Sequence, residues 1–177
     1  MDNVCIDGRK AAFASLGDVL VLGLGKSGRA VAQYCLDLLG TRVSSLTIAA
    51  GEHNESALAF AKDCEKAGAK VYFDRYTFDE RYDLCVASPG ISQFSRFYEN
   101  AAEASASVIS EVEFAWRESR ADSYWIAVTG TNGKTTTTTL ITHILETAGK
   151  RVAAVGNIGT TCIESVASDA TDVYVAE

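Results

Sequence analysis

The sequence predicts an α/β protein made of two parallel-sheet domains in series, and three observations carry that prediction. A G-x-G-x-x-G turn, Gly23-Leu24-Gly25-Lys26-Ser27-Gly28, follows the apolar run Val19-Leu20-Val21-Leu22 without a gap. Short apolar runs then alternate with segments of helical period, the βαβαβ order that implies parallel strands with helices on their faces. A second glycine-bearing loop, Val128 to Thr135, again joins an apolar run to a helical pattern. The expected architecture is a Rossmann-like parallel-sheet domain over residues 1–108, followed over residues 109–177 by the start of a P-loop α/β domain.

The elements follow in order. After the first strand and its glycine turn, Ala30, Val31, Tyr34, Cys35 and Leu38 recur at helical spacing, so a helix N-terminus faces the turn and can meet an anion. Leu46-Thr47-Ile48 reads as the second strand and ends in Ala49-Ala50-Gly51. NAD binding calls for an acid about 20 positions beyond the glycine turn, at that strand's end. The nearest acid is Glu52, one step into the loop. Three readings of the turn stay open: NAD, the pyrophosphate of another nucleotide, or a structural tight turn. Residues 55–67 read as an Ala-rich helix, Lys70-Val71-Tyr72-Phe73 and Asp83-Leu84-Cys85-Val86-Ala87 as strands, and residues 95–106 as a helix. Ser88-Pro89-Gly90-Ile91 stands at a strand's C-terminal end, where such sheets collect ligands, and otherwise reads as a turn. Ser110-Glu111-Val112-Glu113 is a capping box opening a new helix, with a domain boundary expected near residue 109.

The second loop is more specific. Val128-Thr129-Gly130-Thr131-Asn132-Gly133-Lys134-Thr135 places backbone N–H groups at a strand-to-helix turn, with glycines that let phosphate oxygens approach. Lys134 supplies a positive charge for the β- and γ-phosphates, and Thr135 a hydroxyl for a nucleotide-bound Mg²⁺. ATP or GTP is the expected ligand. Val128 stands where the general G-x-x-x-x-G-K-[ST] pattern has its first glycine; Gly130 comes later instead. The following helix is expected to bury Leu140, Ile141, Ile144, Leu145 and Ala148. His143 on that helix and His53 in a loop carry no ligand pattern. The strand Val152-Ala153-Ala154-Val155 delivers Gly156-Asn157-Ile158-Gly159 beside the phosphate loop if the two strands are neighbours. Asp172 to Ala176 reads as a closing strand before Glu177.

Composition excludes some partners. The chain of 177 residues is 47% hydrophobic, enough for a core, and its net charge of −7 leaves no basic block for a nucleic-acid backbone. The five cysteines form no C-x-x-C pair and read as reduced core residues. No run approaches the roughly 18 apolar residues of a membrane span, and Met1-Asp2-Asn3 opens no signal peptide. No membrane insertion and a cytoplasmic location are expected.

Taken in order, Gly-Leu-Gly-x-Ser-Gly, Ser-Pro-Gly-Ile, Ser-Glu-Val-Glu, Thr-Gly-Thr-Asn-Gly-Lys-Thr, Gly-Asn-Ile-Gly and a last strand ending in Glu resemble the Mur ligases. The likeness is greatest to the members that add D-glutamate, and it runs from about Val19 to Glu177. It implies an ATP- and Mg²⁺-dependent ligase of peptidoglycan precursor synthesis. Such an enzyme phosphorylates the carboxylate of UDP-N-acetylmuramoyl-L-alanine, and the D-glutamate amine attacks the acyl phosphate. By this resemblance Gly130, Thr131, Asn132, Gly133, Lys134, Thr135 and Thr136 bind ATP, with Lys134 also catalytic, and Thr135 and Glu177 serve Mg²⁺. Gly25, Lys26, Ser27 and Ser88 hold the uridine and diphosphate, and Asn157 contacts the UDP-sugar. The family's aspartate at the second strand's end is replaced here by Ile48-Ala49-Ala50. Family members continue past the point matched by Glu177, which implies that these residues are an N-terminal portion and form no amide alone. The other functional class left open is a non-catalytic nucleotide or UDP-sugar binding module.

Overall fold

The structure, a computed structural model, describes residues 8–51 and 54–177. Two compact units divide the chain. Residues 14–114 form one; residues 115–177, joined by the segment up to Phe13, form the other.

The first unit is a five-stranded parallel sheet of order β3-β2-β1-β4-β5. Its strands are β1 (Gly17–Leu22), β2 (Val43–Ala50), β3 (Lys70–Phe73), β4 (Leu84–Ala87) and β5 (Val108–Ser110). The helices α1 (Lys26–Asp37), α2 (Glu55–Lys66) and α3 (Arg96–Glu103) cross between them. Leu20, Leu22, Cys85 and Ala87 gather with Phe97, Ala101 and Ala104 in one buried cluster under α3. Val19 and Val21 alternate to the opposite face and are also fully buried, which is why β1 reads as a continuous apolar run. Between β3 and β4 the chain makes no helix. Tyr82 closes that connection instead: its buried ring donates a hydroxyl hydrogen bond to Glu80 at 3.0 Å, and Lys70 Nζ donates to the other Glu80 oxygen at 2.9 Å. The helix start expected at Ser110 is present, where the Glu113 amide donates to Ser110 Oγ at 3.1 Å at the head of α4 (Glu111–Glu118); the two units divide within that helix, between Phe114 and Ala115.

The second unit is a three-stranded parallel sheet, β6 (Tyr124–Ala127), β7 (Val152–Val155) and β8 (Val173–Ala176), in the order β6-β8-β7. It carries α5 (Lys134–Thr147) and α6 (Cys162–Ala167). Trp125 stacks on Tyr174 at 4.6 Å between ring centroids and donates through its indole nitrogen to Ser119 Oγ at 3.0 Å. The leading segment is fastened here by an ion pair of Arg9 with Glu118 and by Lys10 Nζ on the Ser123 carbonyl at 2.5 Å.

Two expectations change. The face α5 turns inward is Thr138, Ile141, Thr142 and Leu145, with Thr138 fully buried, while Leu140 and Ile144 are 57% and 56% exposed. Counting apolar residues found Ile141 and Leu145 but was wrong for Leu140, Ile144 and Ala148, all exposed, because threonines occupy the inner positions of the helix's first half. Three of the helix's threonines (Thr139, Thr142 and Thr147) satisfy their hydroxyls on carbonyls one turn back, at 2.8 to 2.9 Å. The strands carrying the two loops are not neighbours either, since β8 lies between β6 and β7.

Candidate functional site

The phosphate-type loop of the second unit leaves β6 and enters α5 through Gly133, which caps the helix without any side-chain bond to its first amides. Those amides are therefore available to an anion. Lys134 folds back over the loop, its Nζ donating to the Gly130 carbonyl at 2.8 Å. Thr131, Asn132, Gly133, Thr135 and Thr136 are exposed along the loop and first turn.

The position of β8 between the other strands brings Glu177 to this loop. Thr135 Oγ1 donates to Glu177 Oε2 at 2.8 Å, so a hydroxyl and a carboxylate from distant parts of the chain converge on one point. The turn after β7 closes on the same residue: the Asn157 amide donates to the Glu177 carbonyl at 3.3 Å. Gly156 makes that approach possible, for a Cβ there would stand 2.4 Å from the Glu177 carbonyl oxygen, at φ +103°. Lys134, Thr135, Glu177 and Asn157 thus share one end of one sheet. A hydroxyl and a single carboxylate are hard oxygen donors of the kind Mg²⁺ takes alongside substrate phosphates. Among the described residues no three His, Cys, Asp or Glu side chains gather as a self-sufficient metal cage.

The first unit holds a separate cleft of about 450 Å³ at the C-terminal ends of β1, β2 and β4, where the strand order reverses. Gly25, Lys26, Ser27 and Ser88 all line it. The glycines of the turn differ in what holds them. A Cβ on Gly28 would stand 1.9 Å from the Gly23 carbonyl oxygen, so that glycine serves helix–strand packing, whereas a Cβ on Gly25 would meet nothing within 4 Å. Gly25 opens onto the cleft. Ser88 sits nearly buried against the turn itself, its Oγ donating to the Gly23 carbonyl at 3.5 Å and its backbone amide to the Leu22 carbonyl at 2.9 Å.

Sequence reasoning passed over two lining residues. Arg29 donates to the Leu24 carbonyl at 3.1 Å and to Ser56 Oγ at 3.0 Å, placing a cation at the cleft edge. Asn54 caps α2 through a 2.9 Å bond from the Ala57 amide. Their signals were an arginine right after the glycine turn and an asparagine before an acid-led helix. Glu52, His53 and Cys5 lie outside the described residues. Cys35, Cys64, Cys85 and Cys162 are buried, as expected of core residues, and His143 is exposed on α5.

Fold and loop together define the class: an α/β chain with a dinucleotide-type sheet unit and a phosphate-loop unit. Residues 128–175 match the model of the Mur ligase middle domain. The chain resembles the Mur ligases over most of its length. It is 37% identical over 155 residues to UDP-N-acetylmuramoylalanine--D-glutamate ligase of Thermobifida fusca, a match covering 87% of this chain and 32% of the relative. The ligase of the same name from Streptomyces avermitilis is 40% identical over 163 residues, covering 90% and 34%. The chain spans about a third of the length of these curated relatives. Among solved structures, UDP-N-acetylmuramate:L-alanyl-gamma-D-glutamyl-meso-diaminopimelate ligase from Neisseria meningitides matches with a TM-score of 0.51, covering 93% of this chain and 52% of that one. At 18% identity that likeness bears on the fold alone.

Proposed function

We propose that this chain supplies the UDP-sugar site and the ATP-phosphate site of a ligase that joins D-glutamate to UDP-N-acetylmuramoyl-L-alanine in peptidoglycan precursor synthesis. Residues 1–108 would be the UDP-sugar domain and residues 109–177 the start of the ATP-binding central domain. The observation that carries the reading is the meeting of Thr135 and Glu177 beside Lys134, in a chain whose curated relatives here bear the name of that ligase.

In this reading Lys134 moves its ammonium from the Gly130 carbonyl to the β- and γ-phosphates, neutralising charge as the terminal phosphoryl group passes to the substrate carboxylate. Mg²⁺ would supply further positive charge to the phosphates. Thr135 and Glu177 would hold it. Gly130 to Gly133, with Thr136, wrap backbone and hydroxyl groups around the phosphates. Asn157, at the rim beside Glu177, orients the UDP-sugar. Gly25, Lys26, Ser27 and Ser88 seat its uridine and diphosphate at the α1 N-terminus. The D-glutamate amine then attacks the acyl phosphate, giving amide and phosphate. ATP and the UDP-sugar are polar and phosphorylated, which fits a cytoplasmic enzyme; no helix of the described residues is long and apolar enough to cross a membrane.

The test is ATP-dependent formation of the amide by the protein carrying these residues, with Lys134→Ala alongside. Turnover is expected to vanish in the variant, and a rate within about tenfold of wild type would contradict the assignment, given what one phosphate-neutralising group contributes.

A further inference from the structure

Dinucleotide-type sheets read the nucleoside at the C-terminal end of the second strand while the diphosphate sits at the first helix. Here that end is Ala49-Ala50-Gly51, which leaves room but offers no polar side chain. Ala50 and Gly51 line the cleft. A phenol from the long β3–β4 connection comes up beside Gly51, just outside the lining of the cleft: a Cβ built on Gly51 would lie 3.8 Å from the Tyr76 hydroxyl.

The ring of Tyr76 is held in place. It meets Phe97 edge-on, centroids 5.2 Å apart at 76°, and Phe97 in turn stacks on Phe78. Asn100 Nδ2 donates to the Tyr76 carbonyl at 2.6 Å, tying its backbone to α3. The residue is nevertheless 46% exposed, and among the described residues its hydroxyl has no hydrogen-bond partner. An aromatic side chain packed on Phe97, with an unused polar tip beside a cleft-lining glycine, fits recognition, since the ring contact leaves it less conformational freedom to lose on binding.

We propose that Tyr76 is a specificity-determining residue of the cleft, its hydroxyl meeting the polar edge of the pyrimidine in a uridine diphosphate ligand. The proposal rests on the UDP-sugar reading of the cleft. Uracil presents an N–H donor flanked by two carbonyl acceptors, and a phenol both donates and accepts. It can therefore serve that edge where the strand end itself contributes nothing.

The experiment is calorimetric titration of UDP and, separately, of inorganic pyrophosphate into the chain and into Tyr76→Phe, which keeps the contact with Phe97 and removes only the hydroxyl. UDP affinity is expected to fall about tenfold, the scale of one hydrogen bond, with pyrophosphate affinity unchanged. Unchanged UDP affinity would overturn the role of Tyr76 while leaving the cleft reading intact. Equal losses for both ligands would also overturn it, showing that the side chain shapes the cleft rather than reads the base. A wild-type chain that binds pyrophosphate but gains nothing from the uridine, or binds neither, would remove the cleft reading and the proposal with it.

Discussion

Single residues divide the glycine turn into parts that hold the fold and parts that admit a ligand. Gly28 meets the Gly23 carbonyl so closely that even a methyl group has no room, and both partners are backbone, which cannot swing aside. Gly25 faces open space from a backbone conformation any residue can adopt, φ −68° and ψ −173°, at the N-cap of α1. The two substitutions should therefore separate. Gly28→Ala is expected to cost about 3 kcal/mol or more of stability, through overpacking that cannot relax. Gly25→Ala should leave the urea midpoint nearly unchanged and weaken UDP binding about tenfold or more, by displacing a charge-assisted contact to the diphosphate. Urea melts and UDP titrations on both variants check this. Equal destabilisation by the two would show that Gly25 is also kept for packing.

Among elements, β8 does the most to assemble the candidate site, because its place between β6 and β7 brings Glu177 to the phosphate loop and to the Gly156 turn. At its other end the strand is pinned by charge. Asp172 accepts from Arg151 Nε at 2.9 Å and Nη2 at 2.5 Å, and from Arg120 Nη2 at 2.9 Å. Its hydrogen bonds with Arg151 first, and then with Arg120, hold its carboxyl down at about 2, against a usual value of 3.8. A folded pKa below the unfolded one means stability present above pH 3.8 and lost as pH falls through about 2. The carboxylate is partly open to solvent, so the effect belongs to a screened surface cluster. Asp172→Asn should flatten the acid limb of a stability-against-pH curve between about pH 4 and pH 2. An unchanged acid limb would show that the cluster contributes nothing there.

Across the whole molecule, sequence pattern carried some features to the structure and lost others for identifiable reasons. Continuous apolar runs marked β1, β4 and β8, because strands buried on both faces have no polar alternation to confuse the reading. The two glycine loops and the Ser110 cap were legible because each needs particular residue types at fixed spacing. Strand order was not, since nothing in the periodicity of β7 says that β8 will insert beside it. The short helix α6 was passed over, although Thr161 and Glu164 form a capping pair, with the Glu164 amide on Thr161 Oγ1 at 3.4 Å. Arg29 lines the cleft and Tyr76 comes up beside Gly51 at its edge, both from positions that no motif names. The second unit also keeps apolar side chains in water: Tyr124 is 71% exposed and Leu140 57%, because three strands and two helices leave part of that sheet and helix uncovered.

Under the proposed function the cleft of the first unit takes a UDP-sugar, and its glycine turn is not an NAD site. Calorimetric titration of the chain with UDP-N-acetylmuramoyl-L-alanine and, in a parallel run, with NADH tests it most directly. Saturable binding of the UDP-sugar, tighter than any binding of NADH, is the predicted result; tighter binding of NADH would contradict the account.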